Sequence, residues 1–253
     1  MNTIPITEIQ QALKDEPTFI VDGLPIFLDP THTNISIDVS GGADSALTTY
    51  LILQELNRRQ QDCTVHIISH HRCWKRKPWQ GPIAKNVYDY IYENYRGNIN
   101  MVRHTNFIPE GLESKSVEGT DRTRTGEMIC VDEYREKLIH DLNFNMAYNC
   151  TTMNPTIEFP SAMPGRNKEI VEVENIVDHG EPCANPLMYI NKAWVIKQYK
   201  DYDILDLLYV TRSCECYLDD DEHWDGKRPD DCGECFWCYE RHWAMDENKV
   251  PYV

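Results

Sequence analysis

Apolar positions along this chain fall into short β-branched runs that alternate with longer stretches of helical spacing. Ile35-Ser36-Ile37-Asp38-Val39 alternates residue by residue and predicts a strand. The stretch from Ala46 to about Arg59 has no Gly or Pro and predicts the helix behind it. Cys63 to Ser69, with Val65, Ile67 and Ile68, reads as a second buried strand. Ile83, Val87, Tyr90 and Ile91 share one face of a helix over 82–92, and Pro82 suits its first turn. Asn100 to His104 predicts a third strand, and Met146 to Cys150 a fourth. Between them, Val131, Tyr134, Leu138 and Leu142 mark one face of a helix over 127–144. Strands alternating with helices mean a parallel sheet joined by helical crossovers.

On either side the periodicity weakens. Residues 4–15 read as a short polar helix with Ile6, Ile9 and Leu13 on one face, and Phe19 to Leu28 as two strands around an Asp22-Gly23 turn. Residues 109–126 form a long polar stretch holding Lys115, Arg122 and Arg124, cations suited either to solvent or to an anionic substrate. Residues 156–185 read as turns, Pro164-Gly165-Arg166-Asn167 among them. A helix begins near Asn191 with Ala193, Val195 and Ile196 on its apolar side, and a shorter one spans Ile204 to Tyr209. The chain thus divides into an extension (1–34), an α/β domain (35–185) and a C-terminal helical, cysteine-rich module (186–253).

The first strand and its helix are joined by Ser40-Gly41-Gly42-Ala43-Asp44-Ser45. Glycines let the backbone approach an oxyanion closely, and a helix N-terminus offers unpaired N–H groups and the positive end of a dipole. Ser40 and Ser45 add hydroxyl donors, and Asp44 is placed to hold a Mg2+ ion that bridges phosphate oxygens. No Lys follows the glycines, so this is not a GxxxxGK[ST] loop. Ser69 and His70, with His71, stand at the expected C-terminal end of the second strand, the side on which open parallel sheets bind ligands. The loop resembles the pyrophosphate loop (PP-loop) of the N-type ATP pyrophosphatases. That superfamily splits ATP between its α and β phosphates to adenylate an oxygen. The resemblance implies an adenine nucleotide alpha hydrolase-like, Rossmann-like parallel sheet flanked by helices.

Composition narrows the partners. A formal charge of −16 over 253 residues opposes a broad grip on nucleic acid. The segment Arg72 to Trp79 mixes cations with two tryptophans, but reads first as a solvated loop. No apolar run approaches the roughly 20 residues that span a bilayer, and the N-terminus lacks a signal-peptide pattern, so a cytoplasmic protein is expected.

Ten cysteines in such a chain do not suggest a disulfide framework. Cys214, Cys216, Cys232, Cys235 and Cys238 crowd into 25 residues. Two-residue spacing between thiolates directs several sulfurs at one centre, and four satisfy tetrahedral zinc. Cys232, Cys235 and Cys238 supply three, with Cys214 or Cys216 as the fourth. A redox pair or an iron–sulfur cluster is the rival chemistry. The acidic run Asp219 to Glu222 reads as solvated.

Loop and cysteine cluster together resemble the 7-cyano-7-deazaguanine synthase family. The matching residues are Ser40 to Ser45, Pro186-Leu187 with Lys192, Ser213-Cys214, and the ending Cys232-Gly233-Glu234-Cys235-Phe236-Trp237-Cys238-Tyr239-Glu240-Arg241. That likeness implies an ATP-dependent carbon–nitrogen ligase acting on 7-carboxy-7-deazaguanine with ammonia, in the pathway to queuosine. It further implies a homodimer, Cys214, Cys232, Cys235 and Cys238 around a structural Zn2+, and catalytic roles for Asp44, Ser45 and Lys192. The segment Tyr148 to Pro155 stands where the family's substrate motif would lie, without that motif, and the family's Arg-Asn ahead of its long helix is missing. Two other functions use the same loop. One is sulfur or amide transfer to tRNA, with Cys150 or Cys183 as the reactive thiol; the other is nucleotide sensing without turnover.

Overall fold

A computed structural model describes residues 4–72, 79–109, 112, 126–157, 166–180, 182–215 and 232–252. Lys115, Arg122, Arg124, Pro164, Gly165, Cys216, residues 73–78 and the acidic run 219–222 lie outside the described residues.

Strands β3 (Asn34–Asp38), β4 (Thr64–Arg72), β5 (Asn100–Ile108), β6 (Met146–Tyr148), β7 (Val177–Asp178) and β8 (Cys183–Ala184) form one sheet in the order β5-β4-β3-β6-β8-β7. Neighbours are parallel except for β7 against β8. Ile37 of β3 pairs with Ile67 of β4 on one side and Tyr148 of β6 on the other, all three buried. A strand covered on both faces needs such continuous apolar character. The crossover helices are α2 (Ala43–Arg59), α3 (Gln80–Asn94) and α4 (Gly126–Leu142), packed against the sheet as the 3.6-residue periodicity predicts.

Chain order runs from β3 outward to β4 and β5 on one side, and to β6 and β8 on the other. The C-terminal ends of β3 and β6 therefore border the crevice where the order reverses, the place where open α/β sheets bind ligands. The loop from 39 to 42 leaves β3 at that point.

The hairpin is formed by β1 (Thr18–Val21) and β2 (Leu24–Phe27), antiparallel around Asp22 (φ 46°) and Gly23 (φ 81°). Two consecutive positive φ angles suit a tight hairpin turn. Ile9 of α1 (Ile6–Ala12), Leu13, Leu24, Ile26 and Phe27 join the same buried core as the sheet. Residues 4–34 are thus packed into the α/β body.

Two strands run further than their composition predicts. β4 continues to Arg72 and β5 to Ile108, paired residue by residue. β3 ends opposite Ile68, so this ribbon runs on past the end of β3, where the polar residues His70, His71 and Arg72 are only partly buried. β7 and β8 are two residues each, too short to leave a period-two signal within the turn-rich stretch.

After β8 come the short helix α6 (Lys192–Asp201), α7 (Leu205–Val210) and α8 (Phe236–Glu247); α5 (Val173–Ile176) precedes β7. Asn191 caps α6, its Oδ1 accepting from the N–H of Ala193 (3.1 Å) and Trp194 (3.3 Å). α6 packs on α2 and α8 and so carries the C-terminal module onto the loop helix. Among the described residues no helix is long and apolar enough to cross a membrane.

Candidate functional site

A cavity of about 260 Å3 opens at the crevice. Asp38, Ser40, Gly42, Asp44 and Ser45 line it from the β3–α2 connection, and Cys150, Thr151 and Thr152 from the end of β6. Trp79, Gln80, Ile83, Arg166, Lys192, Arg212, Ser213, Cys214, Glu215 and Trp237 complete the wall.

Sequence dictates the loop's shape. Gly41 has φ +85°, and a Cβ there would stand 2.9 Å from Ile83 Cγ2 and 3.0 Å from the Ala84 nitrogen. Gly41 thus lets α3 approach the loop. Gly42 sits at the N-cap of α2 with no side chain occupying that position, so the helix N-terminus faces the cavity bare. Ser45 Oγ donates to the Gly42 carbonyl (3.1 Å) and lies 3.5 Å from Ser40 Oγ. The buried Tyr199 hydroxyl donates to the Ala43 carbonyl (2.6 Å), fixing the first turn of α2 from behind.

Lys192 is 3% exposed, and its ammonium bonds Asp44 Oδ2. The same Nζ lies 4.0 Å from Glu240 Oε2, and Glu240 Oε1 accepts from Arg166 Nη2 at 2.5 Å. Asp44, Lys192, Glu240 and Arg166 thus form a chain of alternating charge through the protein interior. Burial pushes the Glu240 carboxyl up, while Lys192 and Arg166 pull it back. Asp44 Oδ1 is buried and has no partner among the described residues. A carboxylate oxygen left open beside a helix N-terminus fits a Mg2+ ion carried in with phosphate. Asp38 is paired with Arg135 of α4, which also donates to Asn149 Oδ1 (3.2 Å).

The C-terminal module reaches the loop through its backbone. Arg212 N–H donates to the Gly41 carbonyl (2.9 Å), and Trp79 Nε1 donates to the Cys214 carbonyl (3.4 Å). Arg241 of α8, fully within the core, holds this segment by donating to Thr211 Oγ1 (2.8 Å) and the Leu208 carbonyl (3.0 Å).

Cys214, Cys232, Cys235 and Cys238 bring their sulfurs within 4.8 Å of one another. Cys232 and Cys235 lie 3.8 Å and 3.5 Å from Cys238. Zinc–sulfur bonds of about 2.3 Å in a tetrahedron separate the sulfurs by about 3.8 Å, so the four fit one ion. Hydrogen bonding to Cys214 and Cys235, together with burial, pushes the Cys238 thiol up. Four thiolates so close need a cation to ionise together. The spacing left Cys214 and Cys216 open as the fourth ligand; among the described residues, Cys214 takes that place.

Other expected residues stand elsewhere. Ser69 is fully buried inside β4, and His70, further along the extended strand, meets Asn106 Nδ2 at 3.2 Å through Nδ1. Neither lines the cavity, because the strand continues past the point where the sequence predicts its end. Cys183 lies behind the wall, its sulfur accepting from Asn149 Nδ2 (3.1 Å), whereas Cys150 lines the cavity. Sequence reasoning missed Arg166 and Glu240. Arg166 falls in a segment read as a turn. Glu240 lies on the α8 face that buries Phe236 and Ala244, and a charge on such a face is the signal that could have found it.

This is a parallel α/β sheet flanked by helices, with a glycine-bearing loop and a bare helix N-terminus at its switch point and, beside it, four cysteines that could hold a metal ion. No protein-family model matches the chain, and no curated protein matches it. Among solved structures, the U34-tRNA thiolase NcsA from Methanococcus maripaludis, with its 4Fe–4S cluster, is similar at 9% identity and a TM-score of 0.46. That likeness covers 95% of this chain and 69% of that one, and is too distant to carry a function across.

Proposed function

We propose that this chain is an ATP-dependent, AMP- and pyrophosphate-forming ligase that adenylates a carboxylate for attack by ammonia. The acceptor that the resemblance of the loop and cysteine motifs implies is 7-carboxy-7-deazaguanine, with the nitrile as product. One observation carries the reading: the Ser40–Ser45 loop opens a bare helix N-terminus into a cavity that also holds Lys192, paired with Asp44. The loop N–H groups and the Ser40 and Ser45 hydroxyls would bind the pyrophosphate portion of ATP, with Asp44 holding Mg2+. Bound Mg2+ supplies charge neutralisation for the leaving pyrophosphate. Lys192, released from Asp44, would stabilise negative charge on the α-phosphate as the carboxylate oxygen attacks phosphorus and the α–β bridge breaks. Ammonia then attacks the acyl carbon, and AMP leaves with the original carboxylate oxygen. A second ATP activates the amide oxygen in the same way; loss of AMP and two protons leaves the nitrile.

Zn2+ is the metal we assign to the four cysteines. A four-iron cubane spreads its ligating sulfurs around separate corners, further apart than the 4.8 Å limit found for these four. With every position filled by protein the ion does no chemistry. It would hold Cys214, and through it the segment bonded to Gly41.

Cys150 on the cavity wall supports a second reading, sulfur transfer. Burial pushes its thiol well up, which leaves it protonated at neutral pH and a poor nucleophile. Cys150→Ser separates the two. The ligase keeps its turnover within about threefold, and a sulfurtransferase loses it by about 10³-fold or more. Nucleotide sensing without turnover is excluded by any steady release of AMP that Asp44→Asn abolishes while the fold is kept.

A further inference from the structure

Arg166 is 6% exposed and lines the cavity together with Thr152, Lys192 and Trp237. Most of its guanidinium is committed. Nε donates to the Thr152 carbonyl (2.6 Å), and Nη2 reaches Thr152 Oγ1 (2.7 Å), the Met153 carbonyl (2.8 Å) and Glu240 Oε1 (2.5 Å). Its Cζ lies 5.3 Å and 5.2 Å from the ring centroids of Phe236 and Trp237. Nη1 alone is buried without a partner among the described residues. A buried donor left unsatisfied is costly, so a guanidinium held this rigidly with one free nitrogen is built for an acceptor that arrives with a ligand.

We propose that Arg166 is the residue that binds the carboxylate of the acceptor and that Trp237 supplies a surface for its planar ring. This rests on the ligase reading above and names the substrate end of the same cavity. The phosphate end is already furnished by the loop, the helix N-terminus and Asp44. Arg166 belongs to a different part of the wall, between the segment after β6 and the aromatic start of α8. A single free nitrogen suits one carboxylate oxygen and leaves the other exposed to attack on phosphorus.

The test is calorimetric binding of three probes to wild type, Arg166→Met and Arg166→Lys: Mg-ATP, 7-carboxy-7-deazaguanine, and the neutral 7-carboxamide. Wild type should prefer the acid over the amide. Both variants should lose about tenfold or more in acid affinity, lose that preference, and keep ATP affinity within about twofold. Retained ATP affinity reports a folded site, and Arg166→Lys keeps a cation beside Glu240 should Arg166→Met unfold. Unchanged acid binding in Arg166→Lys, or a loss confined to ATP, overturns the assignment of Arg166 while leaving the ligase reading standing. A wild type that binds ATP but neither deazaguanine overturns the acceptor reading and this inference with it.

Discussion

Gly41 is the residue that the loop tolerates least well in any other form. With φ at +85° and Ile83 and Ala84 at contact distance, Gly41→Ala strains the backbone and pushes α3 away. It should cost about 1–3 kcal/mol in stability by chemical denaturation, and it should lower pyrophosphate release more than the stability loss explains. Lys192 carries a different kind of dependence. Lys192→Met leaves Glu240, with no exposed surface, next to one cation instead of two, and leaves Asp44 unpaired. Removing one partner of a buried pair costs about 3–5 kcal/mol. Adding Glu240→Gln to Lys192→Met should recover part of that loss, a coupling that a double-mutant cycle measures. The contiguous residues of this site, Ser40 to Ser45, were legible because one short segment carries both the turn and the donors. Arg166 and Glu240 were not, because they meet only across 74 residues of chain, through a fold that places a turn segment against α8.

At the scale of elements, β4 and β5 carry a histidine pair away from the cavity. His66 Nδ1 and His104 Nε2 lie 2.8 Å apart, their rings stacked at 5.0 Å with Phe144 beside them. Burial, with the neighbouring His104, holds His66 down to about 4, and burial lowers His104 as well. A folded-state value below the unfolded one means that the unfolded chain binds the proton first. Stability is therefore full above about pH 6.5 and falls as pH drops toward 4. His66→Asn, which keeps a hydrogen-bonding group, should flatten the decline of melting temperature across that window. An unaltered slope would show that His66 takes up its proton over the same pH range in the folded and unfolded states. The elements themselves were largely readable from periodicity: the strand at 35–39, the helices over 82–92 and 127–144, and the Asp22-Gly23 hairpin all form close to their expected places. The continuation of β4 to Arg72 was not readable, because a two-stranded ribbon beyond the end of β3 imposes no apolar pattern on its residues. Ser69 and His70, on that extended strand, do not line the cavity at the end of β3.

Across the whole molecule, the four-cysteine centre and the loop are one mechanical unit. Cys214 is one of the four cysteines that could hold a metal ion, its carbonyl accepts from Trp79, and two residues earlier the backbone bonds Gly41. A chelator that strips the ion, or Cys232→Ser, should lower the melting temperature and weaken Mg-ATP binding together, although no cysteine sulfur need touch nucleotide. Elemental analysis should find one zinc and no iron per chain; iron with inorganic sulfide would contradict the assignment. That the four cysteines stand beside the loop was implied by the family resemblance, whereas the backbone bonds that couple the two depend on where α7 delivers residues 211–214.

The most direct test of the central claim is product analysis after incubating the purified protein with Mg-ATP, ammonia and 7-carboxy-7-deazaguanine. Mass spectrometry and phosphate-specific chromatography should show AMP and pyrophosphate formed in equal amounts, about two of each per nitrile, and none from Asp44→Asn. Release of ADP and phosphate, or AMP formation that needs a sulfur donor and tRNA in place of ammonia and the acid, would contradict it.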